Sequence, residues 1–204
     1  MIRVGPYETL RLSRHLGIST TELLRDHTEA GGTVLRARDD RSCIFLSEKG
    51  CTVHPHRPLA CRIYPLAWYI DGDGAESFTL LEGHPESAGA FGTNGTIDDY
   101  CASQGLAPYL AVMRRYITAH DRLLRVLQQQ ADTEVATDVA ETRSEVDHLA
   151  PGAVATPWLD VDAVVSAHCV KRGLAVPAPD AIDAIIERHL AALDAWADEL
   201  VSEG

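Results

Sequence analysis

The sequence predicts a mainly α fold with a small irregular α+β cysteine-cluster region and a helical C-terminal part. Three observations carry this. After residue 108 the apolar residues recur at helical spacing over long stretches. Residues 43–81 hold short β-type runs punctuated by Gly and Pro. Three of the five cysteines fall in the 23 residues from Cys43 to Pro65, too crowded for independent core positions.

Pro6 opens the first helix, with Leu10, Leu12 and Leu16 as its apolar positions and Gly17 as its stop. Ser19 and Glu22 form a capping box, and Ile18 and Leu23 a hydrophobic staple, for a second helix running to about His27. Gly31 and Gly32 end it, and Thr33 to Ala37 has β character. Cys43 to Leu46 and Cys51 to His54 read as strands joined by Ser47-Glu48-Lys49-Gly50, a hairpin that brings Cys43 and Cys51 together at its open end. Pro55, Pro58 and Pro65 forbid long regular structure, so Cys61 is delivered by a constrained loop or one helical turn. Leu66 to Ile70 and Ala75 to Leu81 form a second hairpin, on which Trp68, Tyr69 and Phe78 are packing residues. Its Asp71-Gly72-Asp73-Gly74 turn lacks the later ligands of a calcium loop. Gly83 to Gly95 is Gly-rich but carries no phosphate-binding pattern.

Thr96 and Asp99 cap a short helix that ends at Gly105. Tyr109, Val112, Tyr116, His120, Leu123 and Leu127 share one face of a helix from Pro108 to about Gln130. Residues 131–149 are polar and acidic and read as an exposed helix or a linker. Asp160 caps a helix ending near Gly173. Asp180 caps the last, with Ile182, Ile186, His189, Leu193, Trp196 and Leu200 on its core stripe. The expected organisation is a cysteine-cluster domain over 1–107 and an acidic helical region over 108–204 packed on it, with 131–157 a candidate linker.

Composition narrows the function. The net charge of −12 argues against nucleic acid as a partner, since phosphate binding needs clustered Lys and Arg. The charge is uneven: residues 1–130 carry 14 basic and 15 acidic residues, while 131–204 carry 4 and 15. The acidic C-terminal helices are thus a solvated surface first and a candidate face for a protein partner second. No apolar run is long enough for a transmembrane helix, so no membrane is expected as a partner. The N-terminus lacks the pattern of a secretory signal, and the expected location is cytoplasmic, where clustered cysteines serve metal binding or redox chemistry more often than disulfides.

A thiolate is a strong ligand for zinc, iron or an iron–sulfur cluster, and such a site needs about four donors. Cys43, Cys51 and Cys61 supply three, and the fourth is sought at His54, His56, His84 or Cys101. Arg57 and Arg62 stand close in sequence and would favour thiolates or hydrogen-bond loop carbonyls. The competing reading is three small buried hydrophobes, since free Cys is often buried. Crowding beside His and Pro, where little conventional core can form, favours the metal. Cys169, His15, His120 and His189 lie in helical patterns and read as core or boundary residues. No nucleophile-elbow sequence supports a hydrolase.

The pattern C-x-F-L, then C-x-V-H-x-x-R-P-x-x-C-R-x-Y-P, from Cys43 to Pro65 resembles the YkgJ-type cysteine-cluster family, whose members are described as zinc- or iron-chelating. The likeness extends more weakly to about residues 1–110. It implies a metal-binding protein with Zn²⁺ or Fe as cofactor, an iron–sulfur cluster included. It also implies an alternative, an enzyme using the cluster (an iron–sulfur oxidoreductase or a protein lysine methylase); a third reading, from the acidic helices, is a structural metal site in a protein-interaction module. Family members usually carry a further cysteine group ahead of this segment, and here no cysteine precedes Cys43. They commonly also have one in the loop after the cluster, where this chain has Ser87, which draws attention to His84 as a substitute ligand.

Overall fold

The structure, a computed structural model, describes residues 1–83, 92, 94–138 and 157–203. Its described residues form seven α-helices and three two-stranded antiparallel sheets. The mainly α fold with a helical C-terminal part is thus what the chain adopts.

Helix α1 spans Pro6–Leu16 and ends on Gly17 at φ 70°, and α2 spans Thr20–His27 behind the Ser19/Glu22 capping box. At the start of α1 Glu8 accepts from the Gly5 N–H at 3.0 Å, half of a capping box, since Gly5 has no side chain to complete it. After α2 the chain folds back on itself. Strand β1 (Thr28–Glu29) pairs with β2 (Val34–Leu35) across a turn with Gly31 at φ 67° and Gly32 at φ 94°.

The first expected hairpin forms but is shorter than its sequence suggests. Strand β3 (Leu46–Ser47) pairs with β4 (Gly50–Cys51), Leu46 opposite Cys51 and Ser47 opposite Gly50. Cys43 is outside it, held by a bridge to Ala37. A single 3₁₀ turn at His54–His56 follows, then α3, the five residues Leu59–Ile63 that carry Cys61. The second hairpin pairs β5 (Leu66–Ile70) with β6 (Glu76–Leu80). Asp71 Oδ1 accepts from the Asp73 and Ala75 N–H groups in its turn, as a short Asx turn does. Trp68 lies opposite Phe78 and both pack on the core, whereas Tyr69, on the other face, is exposed.

Helix α4 (Ile97–Ser103) has the Thr96/Asp99 capping box. Helix α5 (Ala107–Asp138) continues eight residues past its expected end, helical through the start of the acidic segment. The rest of that segment, 139–156, lies outside the described residues, as does most of the Gly-rich loop. Helices α6 (Val161–Arg172) and α7 (Ile182–Glu203) complete the chain. Arg115 bonds Glu187, Tyr116 bonds His189, and Arg122 bonds Asp194 and Asp198. Partners advance together along both helices, so α5 and α7 run parallel.

Two apolar cores result. The larger joins Tyr7 and Leu10 of α1 and Leu59 and Ile63 of α3 to Leu106, α5, α6 and α7. The smaller gathers Val4, Leu12, Leu23, Leu35, Phe45 and Val53 beneath the first hairpin. No described helix is long and apolar enough to cross a membrane.

Candidate metal centre

Three short elements deliver the three clustered thiols. The bridge to Ala37 holds Cys43, strand β4 holds Cys51, and the single turn of α3 holds Cys61. Cys43 and Cys51 pack on the smaller core, while α3 anchors in the larger one through Leu59 and Ile63. The cysteines therefore meet where the two cores adjoin. All three are half-buried and unbridged by disulfide.

They line one cavity of about 500 Å³ together with Ile2, Leu46, His54, Arg57, Tyr64, Tyr100 and Gln104. Burial pushes the Cys61 thiol up to about 12, and the neighbouring Cys43 and Cys51 push it the same way, against the pull of Arg57. Each ionised sulfur raises the cost of ionising the next, which is the situation a bound cation relieves. Among the described residues no three His, Cys, Asp or Glu side chains already stand close enough together to hold an ion. The thiols ring the cavity and do not converge on a point. Their chemistry suits zinc or iron, and the short elements carrying them are the ones that would have to draw in.

The other expected donors separate. His54 reaches the cavity, but its Nδ1 faces Arg57 Nη1 at 3.3 Å, and its carbonyl accepts from the same nitrogen at 2.9 Å. Arg57 first, and burial second, lower its pKa. His56 turns away to Arg11 Nη2 at 3.3 Å and stacks on His15 at 4.8 Å, and burial, ahead of Arg11, lowers its pKa. Cys101 packs against the larger core, its thiol raised by burial and by Asp98. His84 lies outside the described residues. Cys169 is fully buried in the larger core.

The cavity wall contains residues that the sequence reading did not single out. Tyr100 and Gln104, four apart on α4 and its cap, face the thiols, and the Tyr100 hydroxyl donates to the Tyr64 carbonyl. Their signal was the i, i+4 spacing, which puts them on one face and turns Cys101 off it. Arg62 is a brace: Nε donates to the Arg57 carbonyl at 3.1 Å, Nη1 to the Gln104 carbonyl at 3.0 Å, and Nη2 to the Pro55 carbonyl.

No curated protein and no solved structure matches the chain. The name of the family that does match, CxxCxxCC, spells a cysteine spacing that this chain lacks, its cysteines within the matched span being Cys43, Cys51, Cys61 and Cys101. The match covers residues 2–102, the part of the chain that carries the clustered cysteines, and the family is described as "Putative zinc- or iron-chelating domain".

Proposed function

We propose that the protein binds zinc or iron through the thiolates of Cys43, Cys51 and Cys61. The observation that carries this is the shared cavity, in which three thiols from three elements influence one another. Sulfur donors suit zinc, ferrous iron and iron–sulfur clusters, and such ligands are bound as thiolates, so ligation displaces the Cys61 proton. Arg57 lies on the same wall and offsets part of the charge that three thiolates bring. Of the remaining donors, His54 is nearest to the role but must first release Arg57 from Nδ1 or change its tautomer. His84 is the other candidate for the fourth position.

Metal analysis of protein purified without oxygen, with its absorbance spectrum, tests the reading. Zinc or iron at about one equivalent or more per chain is expected. Visible charge-transfer bands would identify an iron–sulfur cluster, and their absence with bound zinc a zinc centre. Cys61→Ser should lower the metal content, and wild-type protein holding neither metal would overturn the proposal.

A further inference from the structure

A cavity of about 500 Å³ falls in the range of small-molecule sites, roughly 300–1,000 Å³, and exceeds what an ion bound at about 2.3 Å from its sulfurs fills. The wall facing the thiols has a definite character. It contains Arg57 and His54 and no Asp or Glu. Seven other basic residues, among them Arg14, Arg114 and Arg122, form ion pairs with carboxylates, but Arg57 forms none among the described residues. Its Nη1 goes to the His54 carbonyl and ring, and its Nη2 to Gln104 Oε1 at 2.8 Å. A guanidinium has five N–H donors, so Nε and one Nη2 hydrogen are left over.

Arg57 can only donate, so His54 Nδ1 accepts from it and the ring proton sits on Nε2. His54 therefore gives the cavity a second N–H donor. The wall thus offers N–H donors and a fixed positive charge with no carboxylate to neutralise it. The surrounding chain has the same sign: residues 1–66 hold 10 basic and 7 acidic residues, within a protein of net charge −12.

We propose that His54 stays on Arg57 and off the metal, and that the cavity binds a small carboxylate or oxyanion at the open face of the metal centre, held by Arg57 with the His54 N–H beside it. This rests on the metal reading above. A dication on three thiolates carries one net negative charge, which Arg57 offsets. An anion is thus admitted only while Arg57 is present.

Cobalt(II) loaded in place of the native metal reports both events. A thiolate-to-cobalt band shows that the thiols hold the ion, and the visible d–d bands respond to a new ligand. Titration with acetate and with inorganic phosphate at constant ionic strength should shift the d–d bands saturably for at least one of the two. At saturating cobalt, where any fall in metal affinity from losing the Arg57 charge is overcome, Arg57→Gln should still show the thiolate band but bind the anion at least about tenfold more weakly, and Arg57→Lys should recover part of the response. Wild-type bands that ignore both anions, or an equal response in Arg57→Gln, would sink this inference while leaving the metal reading standing. Loss of cobalt from both variants would also sink it, since Arg57 would then be holding the thiols and not an anion. Absence of the thiolate band from wild type would remove the metal reading itself, and this inference with it.

Discussion

Arg62 caps three carbonyls at once, those of Pro55, Arg57 and Gln104, while its guanidinium lies 4.5 Å from the centre of the Tyr109 ring. A lysine has no planar fork to span three acceptors, so the substitution is not conservative here. Arg62→Lys is expected to cost about 2–3 kcal/mol in chemical denaturation, as charge-assisted hydrogen bonds are lost, and to loosen metal retention, because the braced loop carries the site. His189 makes a different prediction. It is fully buried, its Nδ1 2.9 Å from the Tyr116 hydroxyl, and burial pushes its pKa down to about 4 from an ordinary value near 6.5. The folded state therefore binds fewer protons than the unfolded state between those values. Its contribution is present in full above about pH 6.5 and is lost as pH falls towards 4, by an amount on the order of 3 kcal/mol. Unfolding free energies measured at pH 7 and 4.5 should differ less in His189→Gln than in wild type, and an equal difference would count against this account.

At the scale of elements, the N-termini of α2 and α6 are joined by one polar clamp. Asp160 caps α6 and accepts from the Thr20 and Thr21 hydroxyls at 2.7 Å each. Asp162 takes both Nη atoms of Arg14, at 2.9 and 2.5 Å, and the Thr20 N–H at 2.8 Å. Removing Asp162 takes the counter-charge from a largely buried Arg14 side chain and the acceptor from the Thr20 N–H. Asp162→Ala should cost about 2–3 kcal/mol in urea unfolding, and Arg14→Ala in the same background should add little if the two act as a pair. The sequence disclosed Asp160 as a cap but not its partners. Caps, turns and glycine stops such as Ser19/Glu22, Thr96/Asp99 and Gly17 were legible because each is decided within about four residues of chain. What depends on distant segments was not: the brace by Arg62 onto Gln104 and the choice of cavity residue on α4. One residue along a helix is a rotation of about 100°, enough to send Cys101 to the core and Tyr100 to the thiols.

For the whole molecule, the two cores decide which parts can stand alone. The smaller core belongs wholly to the first 53 residues. The larger does not: Tyr7, Leu10, Leu59 and Ile63 are buried against Leu106, Leu110, Val161, Val165, Ile186 and Leu193. Part of the acidity of the C-terminal helices is also spent internally, in the pairs Arg115–Glu187, Arg122–Asp194, Arg122–Asp198 and Lys171–Glu199. A chain ending at residue 107 would expose those four N-terminal side chains, each worth roughly 1.5–3 kcal/mol when buried. Their sum is comparable with the 5–15 kcal/mol that typically holds a domain together. We therefore propose that the cysteine region depends on the C-terminal helices to fold, and with them on the placement of α3 and Cys61. Residues 1–107 alone should lack a cooperative urea transition and bind a hydrophobic dye, and addition of residues 108–204 should restore the transition. A fragment 1–107 that unfolds cooperatively by itself would show that the cysteine region is an independent domain, and the larger core only a surface on which the helices dock.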